Sequence, residues 1–226
     1  MNRIFYIGDS TVQFNKIDTY PQTGMSQALE LYTAPGVQVL AHGKNGRSTK
    51  SFLEEGLFEP VRQQMGPGDF LLIQFGHNDE KPDLLRHTEP FGTYQENLQY
   101  FIDTARSVGA FPVLVTPIAR RLFAPDCGFC PGSHGDYPEA MRQLGARLEV
   151  PVADLTELTE QFLEQLGDEA SKPLFVWPKD NTHLKYEGAV RMVHFLCGEL
   201  ERMGKPYSDL LYRSETGKIE TNDEVF

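Results

Sequence analysis

The sequence predicts an α/β fold, a three-layer α/β/α sandwich with a central five-stranded parallel sheet. Three observations point to it. Short, unbroken apolar runs such as Ile4-Phe5-Tyr6-Ile7 and Phe70-Leu71-Leu72-Ile73 suit strands covered on both faces rather than strands with one wet face. Stretches of helical spacing separate these runs, as crossovers between parallel strands require. Gly8, Gly43 and Gly76 punctuate the ends of the first three runs, so the polar segments that follow all lie on the carboxyl edge of one sheet.

The first strand covers residues 4–7 and delivers Asp9-Ser10-Thr11 to that edge. Pro21 is placed to open a helix through Leu31, with Met25, Ala28 and Leu29 on one stripe, and Pro35-Gly36 ends it. Residues 37–41 form the second strand, which runs into the polar turn from His42 to Ser48. Helical material follows to Met65, where Gly66-Pro67-Gly68 breaks it. The third strand, 70–75, ends in Gly76-His77-Asn78-Asp79. Thr93-x-x-Glu96 has the spacing of a capping box and predicts a helix to about Val108, followed by a fourth strand at 111–116. Residues 117–136 are irregular and long enough to suggest function. A helix at 137–148, a fifth strand at 150–154, a helix at 155–166, a loop to Thr182 and a helix at 184–203 complete a single domain, 1–205, with a polar tail at 206–226.

The formal charge of -11 argues against nucleic acid as a general partner and offers no polybasic membrane anchor. No apolar run approaches the length of about 20 residues that spans a bilayer. Taken as the native start, the N-terminus carries no leader, and three cysteines in 226 residues suit a reducing compartment, so the expected location is the cytoplasm.

A serine is a weak nucleophile unless a base, a group orienting that base and donors for a developing oxyanion surround it. Asp180 and His183, three residues apart in a polar turn, can supply the first two: the carboxylate accepts from Nδ1 and leaves Nε2 free for the Ser10 proton. The Asn78 amide and the backbone N–H groups of Ser10 and Gly46 can supply the third. Each fragment has a plainer reading, as a Gly-Asp-Ser turn, a capped helix start, an Asx turn or a left-handed glycine. Cys127 and Cys130, with His134 nearby, have metal-like spacing but no second cysteine pair, so no metal is expected. Trp177, the only tryptophan, is assigned to core packing, with stacking on a sugar as the other reading.

Taken together, Gly8-Asp9-Ser10, Asn45-Gly46-Arg47-Ser48, Gly76-His77-Asn78-Asp79 and Asp180-Asn181-Thr182-His183 resemble the four blocks of the SGNH (GDSL-type) hydrolases, over residues 4 to about 200. Thr11-Val12, Phe75 and His134-Gly135-Asp136-Tyr137-Pro138 make the chain look more narrowly like the rhamnogalacturonan acetylesterase branch, where Thr11 in place of leucine is usual. The resemblance implies a flavodoxin-like sheet, Ser10 as nucleophile, His183 as base and then acid, and Asp180 as orienting carboxylate. It also implies oxyanion donors at Ser10, Gly46 and Asn78, an acetyl-enzyme, and no metal or organic cofactor. The expected partner is a small acetylated oligosaccharide from pectin. Lys44, Arg47, Lys81, Arg120 and Arg121 fall in or beside active-edge loops and could form a cationic rim for an acidic sugar. Arg47, His77, Arg120, Arg121 and His134 are the candidate substrate-binding residues, with loop shaping the other reading of His77. Rival readings are a lysophospholipase or thioesterase for longer acyl chains, an acetylesterase for xylan, and a non-catalytic carbohydrate-binding module.

Overall fold

Alternate residues of each strand serve two different cores, and this is why the strands read as continuous apolar runs. The structure is a computed structural model that describes residues 2–126, 128–214 and 217–220. Along β1 (Arg3–Gly8), Ile4 and Tyr6 pack with Met25, Leu29, Met192 and Leu196 on one face. Phe5 and Ile7 pack with Phe52, Leu98, Phe101 and Met141 on the other. Burying a large apolar side chain contributes roughly 1.5–3 kcal/mol, so a one-residue slip of such a strand would exchange both sets at once and is strongly disfavoured.

β2 (Gln38–Gly43), β3 (Phe70–Gln74), β4 (Phe111–Val115) and β7 (Val152–Ala153) join β1 in one parallel sheet of order β2-β1-β3-β4-β7. A small antiparallel hairpin, β5 (Phe123–Ala124) with β6 (Gly128–Phe129), stands apart in the segment read as irregular. α1 (Met25–Leu29), α6 (Leu155–Leu166) and α8 (Tyr186–Met203) contribute to the first core. α2 (Thr49–Glu54), α3 (Glu59–Gln64), α4 (Gln95–Ser107) and α5 (Tyr137–Leu148) contribute to the second. The expected three-layer sandwich with five parallel strands is therefore the observed one. In this strand order the chain reverses direction between β1 and β3, and the crevice beyond their carboxyl ends is the natural ligand site of such sheets.

Several expectations change. The helix after Pro21 begins only at Met25, because the N–H of Thr23 donates to the Leu184 carbonyl and that of Met25 to Thr11, so tertiary bonds hold the backbone here. The helical run to Met65 is two helices interrupted at Gly56, whose φ is 69°. Thr93 caps no helix: a π-helical turn at Pro90–Tyr94 already leads into α4, and the Thr93 hydroxyl accepts from Glu89 N–H one turn upstream. The loop toward Thr182 contains α7 (Asp168–Ser171) and a 3₁₀ turn at Lys172–Leu174. Past Pro206 the chain still packs, since Leu210 is buried and Leu211 bridges to Thr33. Cys127 and residues 221–226 lie outside the described residues. Among the described residues, no helix is long and apolar enough to cross a membrane.

Candidate active site

Four loops meet at the switch point. The turn after β1 carries Ser10 and is kept tight by Asp9, whose Oδ1 accepts from the N–H and the hydroxyl of Thr11, both at 2.9 Å. The turn after β2 carries Gly46 at φ 75°, a left-handed conformation that favours glycine, and a Cβ there would meet no atom within 4 Å. The loop after β3 carries Asn78, and the turn before α8 carries Asp180 and His183.

The structure brings the three expected side chains into line. Ser10 Oγ is 2.9 Å from His183 Nε2, and His183 Nδ1 is 3.0 Å from Asp180 Oδ2. Asp180 Oδ1 also accepts from the N–H groups of Thr182 at 2.9 Å and His183 at 2.7 Å. Burial pushes the Asp180 carboxyl up, but those two N–H bonds and the His183 ring outweigh it and hold it below the usual range. A carboxylate only accepts, so Nδ1 carries the ring proton and Nε2 is left to accept from the serine hydroxyl. Nearby, the N–H groups of Ser10 and Gly46 donate to no protein acceptor among the described residues. Asn78 Nδ2 donates one hydrogen to the Arg47 carbonyl at 3.1 Å, and its Oδ1 accepts from Arg86 at 3.3 Å. The amide thus has its orientation fixed with one N–H to spare.

A cavity of about 370 Å³ opens over these groups, lined among others by Ser10, Gly46, Asn78, Asp180 and His183. Of the candidate substrate-binding residues, Arg120 and His77 also line it; Arg47, Arg121 and His134 do not. Arg47 is drawn to Glu55 at 2.7 Å and faces the neighbouring cavity. Arg121 is buried, paired with Asp168, bonded to Ser171 Oγ at 2.9 Å and stacked 4.6 Å from the Trp177 ring centre. Trp177 is therefore not core: it is 42% exposed, with Arg121 and Lys172 lying over its ring. His134 is buried behind His77, its nitrogens facing Glu80 at 3.0 Å and the Ile118 carbonyl at 2.8 Å. Lys44 belongs to a separate cavity beside Phe14. For Arg47, Arg121 and His134 the position was readable in sequence but the acidic or carbonyl partner was not.

His77 is buried apart from the small part of it that lines the cavity. Burial lowers its ring to about 4, with His134 and Arg120 adding to the effect against the pull of Asp9, so it is neutral at ordinary pH. Its Nδ1 lies 3.4 Å from Asp9 Oδ2, an attraction too poorly aligned to count as a hydrogen bond. Two lining residues escaped sequence reading. Gln22 donates to the Ser10 carbonyl at 3.2 Å, and Arg86, held by Asp83 at 2.6 Å, borders both the Ser10 cavity and its neighbour. Neither sits in a motif, and only the path of a long loop brings each in.

Fold and site together define a class: an α/β protein with a hydroxyl, an imidazole and a carboxylate in relay at the switch point of a parallel sheet. The chain belongs to the GDSL-like lipase/acylhydrolase family, whose pattern matches residues 6–191. It is 40% identical over 225 residues to the rhamnogalacturonan acetylesterase RhgT of Bacillus subtilis (strain 168), covering 94% of this chain and 95% of that one. It is 34% identical over 218 residues to the probable rhamnogalacturonan acetylesterase YesY of the same organism, covering 94% and 98%. In fold it is similar to the crystal structure of YxiM from Bacillus subtilis, with TM-score 0.80 and 24% identity over 91% of this chain and 58% of that one. It is also similar to an acetylxylan esterase from Geobacillus stearothermophilus, with TM-score 0.66 and 17% identity over 91% and 95%.

Proposed function

We propose that this chain is a serine esterase that removes acetyl groups from carbohydrate, most specifically from rhamnogalacturonan oligosaccharides. Ser10 Oγ attacks the acetyl carbonyl as its proton passes to His183 Nε2, with Asp180 holding the ring. The negative charge that develops on the carbonyl oxygen is met by the N–H groups of Ser10 and Gly46 and by Asn78 Nδ2. The sugar hydroxyl leaves with the proton from His183, giving an acetyl-enzyme, and a water activated by the same ring releases acetate.

The observation that carries the acetyl reading is the lining of the cavity: among the described residues, none of the twelve that line it is aliphatic, and the only rings are those of His77 and His183. A longer acyl chain would find no aliphatic side chain to bury against there, and each CH₂ group left in water forgoes about 0.8 kcal/mol. The names of the two Bacillus relatives support the choice of rhamnogalacturonan, and so does Lys81 on the cavity wall, a cation with no carboxylate partner among the described residues and so suited to an acidic sugar. For location we keep the cytoplasm, on the strength of three cysteines in 226 residues, to be checked by fractionation of the source cells.

Acetate release from acetylated rhamnogalacturonan, xylan and small-sugar substrates tests the reading, with Ser10→Ala as control. The expected outcome is a rate at least about 1000-fold above that variant, greatest on the pectic substrate, and falling steeply for esters longer than propionyl. A wild-type rate equal to that of Ser10→Ala, or a rate rising with acyl length, would reject it.

A further inference from the structure

We propose that Arg120 is a positioning residue that fixes the spacing between the Asp180–His183 turn and the loop bearing Asn78, rather than a reader of substrate charge. This rests on the esterase reading above. Arg120 follows β4 and reaches both loops at once: Nη1 donates to Thr182 Oγ1 at 2.8 Å, and Nη2 donates to the His77 carbonyl at 3.1 Å and to the Glu80 carboxylate. Thr182 stands between the orienting acid and the base, and its own N–H is already given to Asp180. His77 directly precedes Asn78. The guanidinium therefore sets the acid-base half of the site against the oxyanion half.

Neighbouring contacts support this reading. The N–H of Arg121 donates to the Asn181 carbonyl at 2.8 Å, so the same stretch of chain grips the turn a second time. Glu80 is held from behind by His134 at 3.0 Å, and His134 in turn by the Ile118 carbonyl. The Arg120 side chain is only 14% exposed and Glu80 18%, so the pair is shielded from the screening that makes surface pairs weak. A planar guanidinium holds its donors in a fixed fork, which lets one side chain brace two loops; an ammonium is a single point. A substrate carboxylate would have to compete with one already in place on Nη2, which argues against Arg120 as the acid reader.

The test uses p-nitrophenyl acetate, a small neutral ester with no carboxylate to recognise, with melting curves run on every variant. Arg120→Lys and Thr182→Val are expected to lower kcat by up to about 100-fold with KM little changed, the effect of displacing reacting groups by about 1 Å. Thr182→Ser, which keeps the hydroxyl acceptor, should restore most of the rate. Arg120→Lys or Thr182→Val at wild-type kcat on this ester would overturn the proposal, whatever either does to acidic oligosaccharides, and Thr182→Val does so even should the Arg120 variants fail to fold. A wild-type rate no higher than that of Ser10→Ala on the same ester would instead sink the esterase reading.

Discussion

Asp79 is a buried carboxyl whose protonation departs from the ordinary state of an aspartate. Its Oδ1 accepts from Thr49 N–H at 3.0 Å, from the Thr49 hydroxyl at 2.6 Å and from the Thr88 hydroxyl at 3.1 Å, while Oδ2 is buried without a hydrogen-bond partner among the described residues. Burial raises the carboxyl from 3.8 to about 7 against those bonds, with the charge of Asp9 adding to the rise. Between those values the folded chain holds a proton that the unfolded chain has lost, so this group makes stability fall as pH rises from about 4 to about 7. His77 acts in the opposite sense. Lowered from 6.5 to about 4, it is neutral in the folded chain where the unfolded one is protonated, and it makes stability rise over much of the same window. The two slopes mask each other in the wild type, and a variant separates them. Asn in Asp79→Asn keeps an oxygen for the three donors and cannot titrate, so its melting temperature relative to wild type should climb by several degrees from about pH 5 to about pH 8. A difference flat with pH would mean that Asp79 is ionised in the native state. At this scale the motif residues were legible because acyl-transfer chemistry admits few residue types in few spacings, as in Asp180-x-x-His183. Arg47 and Arg121 were misplaced because a cation's partner, Glu55 or Asp168 here, is chosen by tertiary contact that no local pattern encodes.

Among the elements, the turns at strand ends constrain the site more than the helices do. A Cβ on Gly8 would lie 2.5 Å from the Gln74 carbonyl oxygen and 2.7 Å from Val12 Cγ2, where β1 and β3 run side by side and the chain bends toward Ser10. Backbone cannot yield to that cheaply. Gly8→Ala should therefore lower both the melting temperature and kcat, because the strain is relieved only by moving the nucleophile turn. Gly46→Ala is a different case: open space surrounds the added methyl, so only the left-handed backbone is penalised, at roughly 1–2 kcal/mol. A loss well beyond that in chemical denaturation would show that the turn has a second constraint. Legibility divides along similar lines. α5 and α6 fall on the residues expected, Tyr137–Leu148 and Leu155–Leu166, because each is a full amphipathic pattern with clear ends. The starts of α1 and α4 do not, because Pro21 and Thr93 are generic signals, and long-range bonds to Leu184 and Thr11, or a turn already begun at Pro90, decide the boundary.

Across the whole molecule the charge is unevenly placed. The chain carries -11 overall, yet Lys81, Arg86 and Arg120 stand together on the wall of the Ser10 cavity. Two of them are already matched, Arg86 with Asp83 and Arg120 with Glu80, whereas Lys81 has no carboxylate partner among the described residues. The field an acidic oligosaccharide meets on approach is therefore repulsive at long range and attractive only near Lys81. Salt acts on these two parts differently. Screening lengths fall from about 10 Å at 0.1 M to about 3 Å at 1 M, so moderate salt removes the distant repulsion first and high salt then weakens the contact. An exposed pair of this kind contributes about 0.2–1 kcal/mol, which is at most about a fivefold change in KM. Lys81→Gln should accordingly raise KM for an acidic acetylated oligosaccharide by up to that factor at low salt, leave kcat alone, and change neither constant for a neutral acetyl ester. The gap between variant and wild type should close as salt approaches about 1 M. A loss of equal size on neutral and acidic substrates would place Lys81 in the site's architecture instead, and a gap indifferent to salt would exclude charge as its means of recognition.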